Sequence, residues 1–304
     1  MKIMLAPVVL FVYNRLDHTA RVLETLGKNE LAKETELFVF SDAAKSDKGL
    51  EKVNEVREYI NQKEWQKNFK SVTIVQAEKN KGLAKSVIGG VSEIIEQYGK
   101  VIVIEDDLVL SPYFLNYMNG ALDYYKEDSK IWAISGYSFP MKSLKKYPHD
   151  VFYSYRGSSW GWATWADRWS LVDWEVSDYA ALMSSPERQK QFNRGGSDLV
   201  NMLRLQMEGK IDSWAVRWVY AQSKLDTYTV YPKHSYLGNG GCDGSGTHSG
   251  KNDDYWTDIQ MSSEECRFET LEIDKKLARE FWYKYSDTLD KKIKRNIKKI
   301  FRKN

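Results

Sequence analysis

Val101-Ile102-Val103-Ile104-Glu105-Asp106-Asp107-Leu108 is the stretch on which the reading of this chain turns. Four β-branched residues in succession describe a strand buried on both faces, as in the middle of a parallel sheet. Three acids then arrive together where the chain leaves that sheet. Their mutual repulsion has two resolutions. A divalent cation, Mg2+ or Mn2+, binds hard carboxylate oxygens and cancels the charge. Alternatively the acids form a solvated turn that caps a helix running on from Pro112. The buried strand in front of them favours the cation.

Toward the N-terminus the pattern alternates. Val8–Tyr13 reads as a strand and His18–Leu26 as a helix; Leu37–Phe40 is a strand ending at Ser41-Asp42, and Val53–Tyr59 is helical. Val72–Val75 is a third strand and Ser86–Tyr98 the helix before Val101. Strand and helix in turn, over roughly 30-residue units, predict an α/β fold with a mostly parallel central sheet flanked by helices. Such sheets bind ligands at the carboxyl ends of their strands. Those ends carry Tyr13-Asn14-Arg15, Ser41-Asp42 and the acid triplet.

Beyond residue 110 the alternation stops. Pro112–Tyr125 is helical, Trp132–Ser135 a short strand, Asp198–Met207 and Trp214–Ser223 helical, and a strand lies near Val230. The expected organisation is therefore 1–110 as a ligand-binding half, 111–270 as an irregular half completing the same domain, and 271–304 as a basic helical tail.

The chain has 304 residues, 42% hydrophobic and 29% charged, which excludes a membrane-embedded, fibrous or disordered protein. Its formal charge is +3, yet Lys291, Lys292, Lys294, Arg295, Lys298, Lys299, Arg302 and Lys303 crowd the end with no acid after Asp290. Without them the rest is net acidic, so nucleic acid is not an expected partner. Ile293, Ile297, Ile300 and Phe301 recur at helical spacing among those cations, the pattern of a helix lying on anionic lipid. Cys242 and Cys266 are too few for a disulfide framework. Ile3–Tyr13 contains Pro7 and runs into Asn14-Arg15 without a cleavage site, so it reads as a strand and not a leader. The expected location is cytoplasmic, peripheral on the inner face of the plasma membrane through the tail.

The ordered set of elements carries a resemblance. The strand with Glu105-Asp106-Asp107-Leu108, preceded by Pro7-Val8-Val9-Leu10-Phe11-Val12-Tyr13-Asn14-Arg15 and followed by the aromatic Trp160-Gly161-Trp162, resembles the GT-A glycosyltransferases. It is similar to the bacterial family 2-like sugar transferases and more distantly to the N-acetylglucosaminyltransferase I type, over about residues 6 to 250. The resemblance implies a GT-A, Rossmann-like fold that binds a nucleotide-sugar, with Asp107 as a metal ligand, Asp106 toward the donor ribose or metal water, and Glu105 toward the sugar. It places the nucleoside against Tyr13, Asn14 and Arg15 and against Asp42, with Arg15 meeting phosphate or base oxygen and Asp42 accepting from a uracil N–H. The segment Asn80-Lys81-Gly82-Leu83-Ala84-Lys85-Ser86 resembles the family's loop near the nucleotide, where backbone N–H groups and Lys85 assist.

Four tryptophans fall between Trp160 and Trp169. Trp162, Trp165 and Trp169 recur at helical intervals, which predicts one face of a core-facing helix; Ser158, Trp160 and Gly161, just before it, are expected to line a sugar pocket, since indole faces stack on sugar C–H faces. Asp212-Ser213 precedes Trp214 as a helix cap would. The resembling enzymes carry a W-D-D-W element with the catalytic carboxylate here; in this chain Ile211 replaces the first Trp and Ser213 the second Asp. Asp212 is thus either a general base or a cap, with Asp198 and Asp243 in reserve. The loop Asn239–Gly250 contains a D-G-S-G-T-H run similar to that of the bacterial enzymes, which implies His248 as a second metal ligand and a segment that closes over the donor.

The expected function is an inverting, metal-dependent glycosyltransferase moving a sugar from a nucleoside diphosphate, UDP, to a hydroxyl of a bacterial glycan or lipid-linked glycan. The rivals are a sugar-activating nucleotidyltransferase, although Val12–His18 lacks the glycine-rich signature of that class, and a non-catalytic carbohydrate-binding protein.

Overall fold

The structure is a computed structural model that describes residues 4–240 and 257–286. In chain order the elements are β1 (Val8–Val12), α1 (Leu16–Gly27), β2 (Glu36–Ser41), α2 (Leu50–Ile60), α3 (Lys63–Gln66), β3 (Ser71–Gln76), α4 (Leu83–Tyr98) and β4 (Lys100–Glu105). There follow β5 (Leu108–Leu110), α5 (Phe114–Tyr124), β6 (Ile131–Ser135), β7 (Val151–Ser154), β8 (Trp162–Trp165), α6 (Ala166–Trp169), α7 (Tyr179–Met183), α8 (Pro186–Phe192) and α9 (Leu199–Met207). The rest are α10 (Trp214–Lys224), β9 (Tyr228–Pro232), β10 (Leu237–Asn239) and α11 (Lys275–Lys284).

One eight-stranded sheet in the order β3-β2-β1-β4-β8-β6-β9-β7 runs through both halves of the chain. Strands β3, β2, β1 and β4 are mutually parallel, joined by the predicted crossover helices. β8 enters antiparallel between β4 and β6, and β7 pairs antiparallel with β9. The expected α/β architecture, mostly parallel in its first half and flanked by helices, is what the chain adopts.

Strand alternation divides the core in two. Val8, Leu10 and Val12 of β1 and Ile102 and Ile104 of β4 face α1, α2 and α5. Val9 and Phe11, with Val101 and Val103, face α4 and α10. Because every second side chain goes to the opposite layer, a central strand must be apolar throughout, which is why β1 and β4 show unbroken hydrophobic runs.

The tryptophan stretch differs from its expected helix. Trp162 and Trp165 stand on opposite faces of strand β8: Trp162 joins the layer of α4 and α10, Trp165 the layer of α1 and α5. Only Trp169 is helical, on the short α6, and it turns back to stack on Trp162 with ring centroids 5.7 Å apart. Three-residue spacing fits a helix face equally well, but pairing of β8 with both β4 and β6 decides for strand, where aromatic residues pack well. Trp162 also stacks on Trp214 at 4.9 Å and touches Trp218 at 5.6 Å, so indoles tie β8 to α10.

Candidate active site

The corner begins where β1 and β4 end side by side, with Phe11 in register with Glu105. Leaving β1, the chain starts α1 at once, so Arg15 sits at that helix's N-terminus and beside the acids leaving β4. Its Nη2 pairs with Asp106 Oδ1 and lies 3.2 Å from Asp107 Oδ2. Asp106 is 4% exposed. Burial, then Asp107 and Asp106, push the Glu105 carboxyl up to about 8, against the opposing pull of Arg15. Burial likewise raises Asp106, while Arg15 opposes it. Burial works against the Arg15 charge, but Asp106 and Asp107 outweigh it and hold the guanidinium above its ordinary value. Two buried atoms of this group have no partner, Asp107 Oδ1 and Arg15 Nη1. A buried polar atom left unpaired costs free energy and calls for an explanation such as a bound water or ion.

Next to this corner, β2 delivers Asp42 to the same end of the sheet. Its carboxylate accepts from Lys81 N at 3.0 Å, Gly82 N at 3.0 Å, Asn80 Nδ2 at 3.0 Å and Ala43 N at 2.9 Å. The side chain expected to read a uracil edge is thus already committed to holding the 80–82 loop. Arg57 on α2 ties the neighbouring strand ends together, donating to Ala77 O at 2.7 Å, Asp42 O at 3.4 Å and Ser41 Oγ at 3.3 Å. Tyr13 lies alongside, its hydroxyl accepting from Lys45 N at 3.1 Å, and Asn14 is half-buried after it. Lys85 is exposed on the first turn of α4.

Asp212 lies at the start of that same helix. Its Oδ2 accepts from Ala84 N at 3.3 Å, and a Cβ built on Gly82 would come within 3.0 Å of it. Gly82 also has φ +78°, a conformation that favours glycine. The cap of α10 is Ser213, whose Oγ accepts from Val216 N at 3.3 Å. Asp212 therefore caps a neighbouring helix and not the one that follows it in sequence. It is exposed, and its Oδ1 has no partner among the described residues. Of the reserves, Asp198 is locked in a two-point pair with Arg156, at 2.7 and 3.0 Å.

On the other side, Ser158 Oγ accepts from Trp160 N at 3.2 Å in a tight turn, and Trp160 sets its ring edgewise on Tyr137 at 4.7 Å. Gly161 is buried with φ +53°, and a Cβ there would lie 2.2 Å from Leu237. Its role in the described structure is close packing, not a lining surface. β10 pairs with β5, and Gly240 N donates to Asp107 O at 2.7 Å, so the chain enters 241–256 directly from the acid corner. His248, Asp243 and Cys242 themselves lie outside the described residues, as does the basic tail. Among the described residues no three His, Cys, Asp or Glu side chains are placed to share a metal ion.

His18 and Arg57 are the residues that motif reading passed over. His18 is buried on the first turn of α1 and acts electrostatically on Asp106. Its position one turn after Arg15, at the end of an apolar strand, was the signal available. Arg57 carried none, since its acceptors are assembled only by the fold.

No family model and no curated protein matches the chain. Among solved structures it is similar to S. aureus TarS, at 19% identity over 43% of this chain and 21% of that one, TM-score 0.31. It is similar to the mannosyltransferase PcManGT from Pyrobaculum calidifontis, solved in complex with GDP-Man and Mn2+, at 12% identity over 72% and 69% of the two chains, TM-score 0.41. A third is the glucosyl-3-phosphoglycerate synthase from Mycobacterium tuberculosis, solved with Mn2+, UDP and phosphoglyceric acid, at 12% identity over 55% and 57%, TM-score 0.33. The chain thus spans less than two thirds of TarS and of the synthase.

Proposed function

We propose that this chain is a metal-dependent glycosyltransferase that moves a sugar, with inversion, from a nucleoside diphosphate donor to a hydroxyl of a glycan or lipid-linked glycan. The observation that carries the reading is the pair of buried, unpartnered atoms at the end of β4, Asp107 Oδ1 and Arg15 Nη1. One is a vacant anionic oxygen and the other a vacant cationic donor, the complementary halves of a site for a cation with a diphosphate. Carboxylate oxygen and imidazole nitrogen suit Mn2+ or Mg2+, and Asp107 would hold the ion, with His248, which lies outside the described residues, as the further ligand. When bound, that ion neutralises charge developing on the leaving diphosphate.

The protein's own residues do the rest. Arg15 meets a phosphate oxygen. The 80–82 backbone, fixed by Asp42, and Lys85 on the first turn of α4 border the nucleotide, with Tyr13 and Asn14 beneath it; the donor base is uracil in this reading. Glu105 faces the sugar and Asp106 the ribose or the water of the metal. Asp212 takes the proton of the acceptor hydroxyl through Oδ1 as that oxygen attacks the anomeric carbon from the side opposite the diphosphate. Ser158 and Trp160 border the sugar, with Gly161 holding their turn against Leu237.

Incubation with UDP-sugars and Mn2+ tests this. UDP release that depends on acceptor and is lost in Asp107→Ala is the expected result. Pyrophosphate release from sugar phosphate and UTP, or sugar binding without turnover, replaces it with nucleotidyl transfer or a binding module. A thermal-shift screen across UDP-, GDP-, TDP- and CMP-sugars identifies the base, because a ligand that binds only the folded state raises Tm with affinity and concentration.

A further inference from the structure

Two part-buried arginine–carboxylate pairs among the described residues are built differently. Arg156 closes a fork on Asp198, with Nη1 on Oδ1 and Nη2 on Oδ2, and the Tyr285 ring covers its guanidinium at 4.1 Å. That is a finished structural pair. Arg15 instead reaches both Asp106 and Asp107 through the single nitrogen Nη2, leaving Nη1 and Asp107 Oδ1 buried and unpaired. Its backbone is fixed independently of the side chain, since Arg15 O accepts from Thr19 N and Thr19 Oγ1, each at 2.9 Å. The side chain makes no capping bond to α1. Rotation of the guanidinium therefore leaves the start of α1 in place.

We propose that Arg15 is an exchangeable counter-ion: it stands between Asp106 and Asp107 in place of the divalent cation and transfers to the donor's diphosphate when that cation arrives. The inference rests on the reading of the acid corner as a cation–diphosphate site and adds an order to its filling. A cation alone must displace a charge that has nowhere favourable to go, whereas a cation with a diphosphate gives the guanidinium an anionic destination. The two ligands then bind synergistically, and by linkage each strengthens the other equally. The exchange also keeps the buried acids neutralised when no donor is present, where two unpaired carboxylates in low dielectric would be costly.

Titration of Mn2+ alone, followed by electron paramagnetic resonance, against the full chain and its Arg15→Gln and Arg15→Lys variants is the test. Arg15→Gln is expected to bind Mn2+ tighter than the parent by about tenfold or more, since it removes the competing charge, and Arg15→Lys to bind it less tightly than Arg15→Gln, since a lysine keeps one charged nitrogen that can take the place of Nη2. The gain in Mn2+ affinity on adding UDP is expected in the parent and shrinks in Arg15→Gln. Unchanged or weaker Mn2+ binding in Arg15→Gln overturns the proposal, as does a gain on adding UDP that is as large in Arg15→Gln as in the parent. Asp107→Asn separates this from the underlying reading: Mn2+ binding that survives it, or Mn2+ bound by none of the proteins, removes the metal site and the exchange together. Far-UV circular dichroism of each variant confirms that it is folded.

Discussion

Asp212 and Ser213 are adjacent in sequence and do different work. Ser213 caps α10, while Asp212 reaches over to the first turn of α4 with Oδ2 and is otherwise exposed. Asp212→Asn preserves the shape and can still accept from Ala84 N, so donor affinity by calorimetry should stay at the parental level. Turnover should fall by about 10²- to 10⁴-fold, the usual worth of a general base. Parental turnover removes Asp212 from the chemistry and leaves it a cap. At the same scale, burial and then Asp150 push the Cys266 thiol up to about 12. An unfolded thiol titrates near ~8.5, so between the two values the folded chain holds the extra proton and stability falls as pH rises through that window. At pH 8, alkylation of Cys266 by iodoacetamide, read by peptide mass spectrometry, should be on the order of 10²-fold or more slower in the native protein than after unfolding. Equal rates would show that the side chain is open to solvent.

Strand β8 joins the two halves of the sheet, and its alternation sends Trp162 into an indole cluster with Trp169, Trp214 and Trp218. Trp162 is 1% exposed. Trp162→Ala should destabilise the fold by about 3–5 kcal/mol in urea unfolding. Its indole N–H has no partner, so Trp162→Phe forfeits no hydrogen bond and should cost less. Because Trp214 follows Asp212 closely, the alanine variant should also lower turnover before it unfolds the chain; full turnover at reduced stability would uncouple cluster and site. This element also marks where the sequence stopped being readable. From β1 to β4 each unit carries its own period, so local pattern and global fold agree, and the acids at the end of β4 could be placed from sequence alone. β8 has only four residues, pairs with strands distant in sequence, and its tryptophan spacing satisfies both periods. Asp42 and Arg15 show the same boundary: their positions at strand ends were legible, but their partners lie 38 to 40 and 91 residues away and are chosen by tertiary structure.

At the scale of the molecule, charge is distributed with a direction. α11 docks through Leu277 and Phe281, and its Glu280 accepts from Lys142 N at 2.7 Å and Ser143 N at 3.0 Å. That contact brings the segment containing exposed Lys142, Lys145 and Lys146 beside a helix exposing Lys275, Lys276 and Arg279. From this helix the chain passes into 287–304, whose sequence adds eight Lys and Arg after Asp290. No helix among the described residues is long and apolar enough to cross a membrane. Each basic residue near an anionic leaflet contributes about 1 kcal/mol, attenuated over a Debye length of ~8 Å at physiological salt. Removing residues after Asp290 should therefore reduce sedimentation with phosphatidylglycerol vesicles, leave phosphatidylcholine vesicles unaffected, and preserve turnover on a soluble acceptor. Raising the salt should imitate the truncation. If the folded face shares in the contact, Lys142→Glu with Lys145→Glu and Lys146→Glu weakens vesicle binding further in the truncated chain. Vesicle binding that is indifferent to truncation and to salt would show that the basic end serves something other than lipid, because an electrostatic contact cannot survive the loss of its charges or their screening.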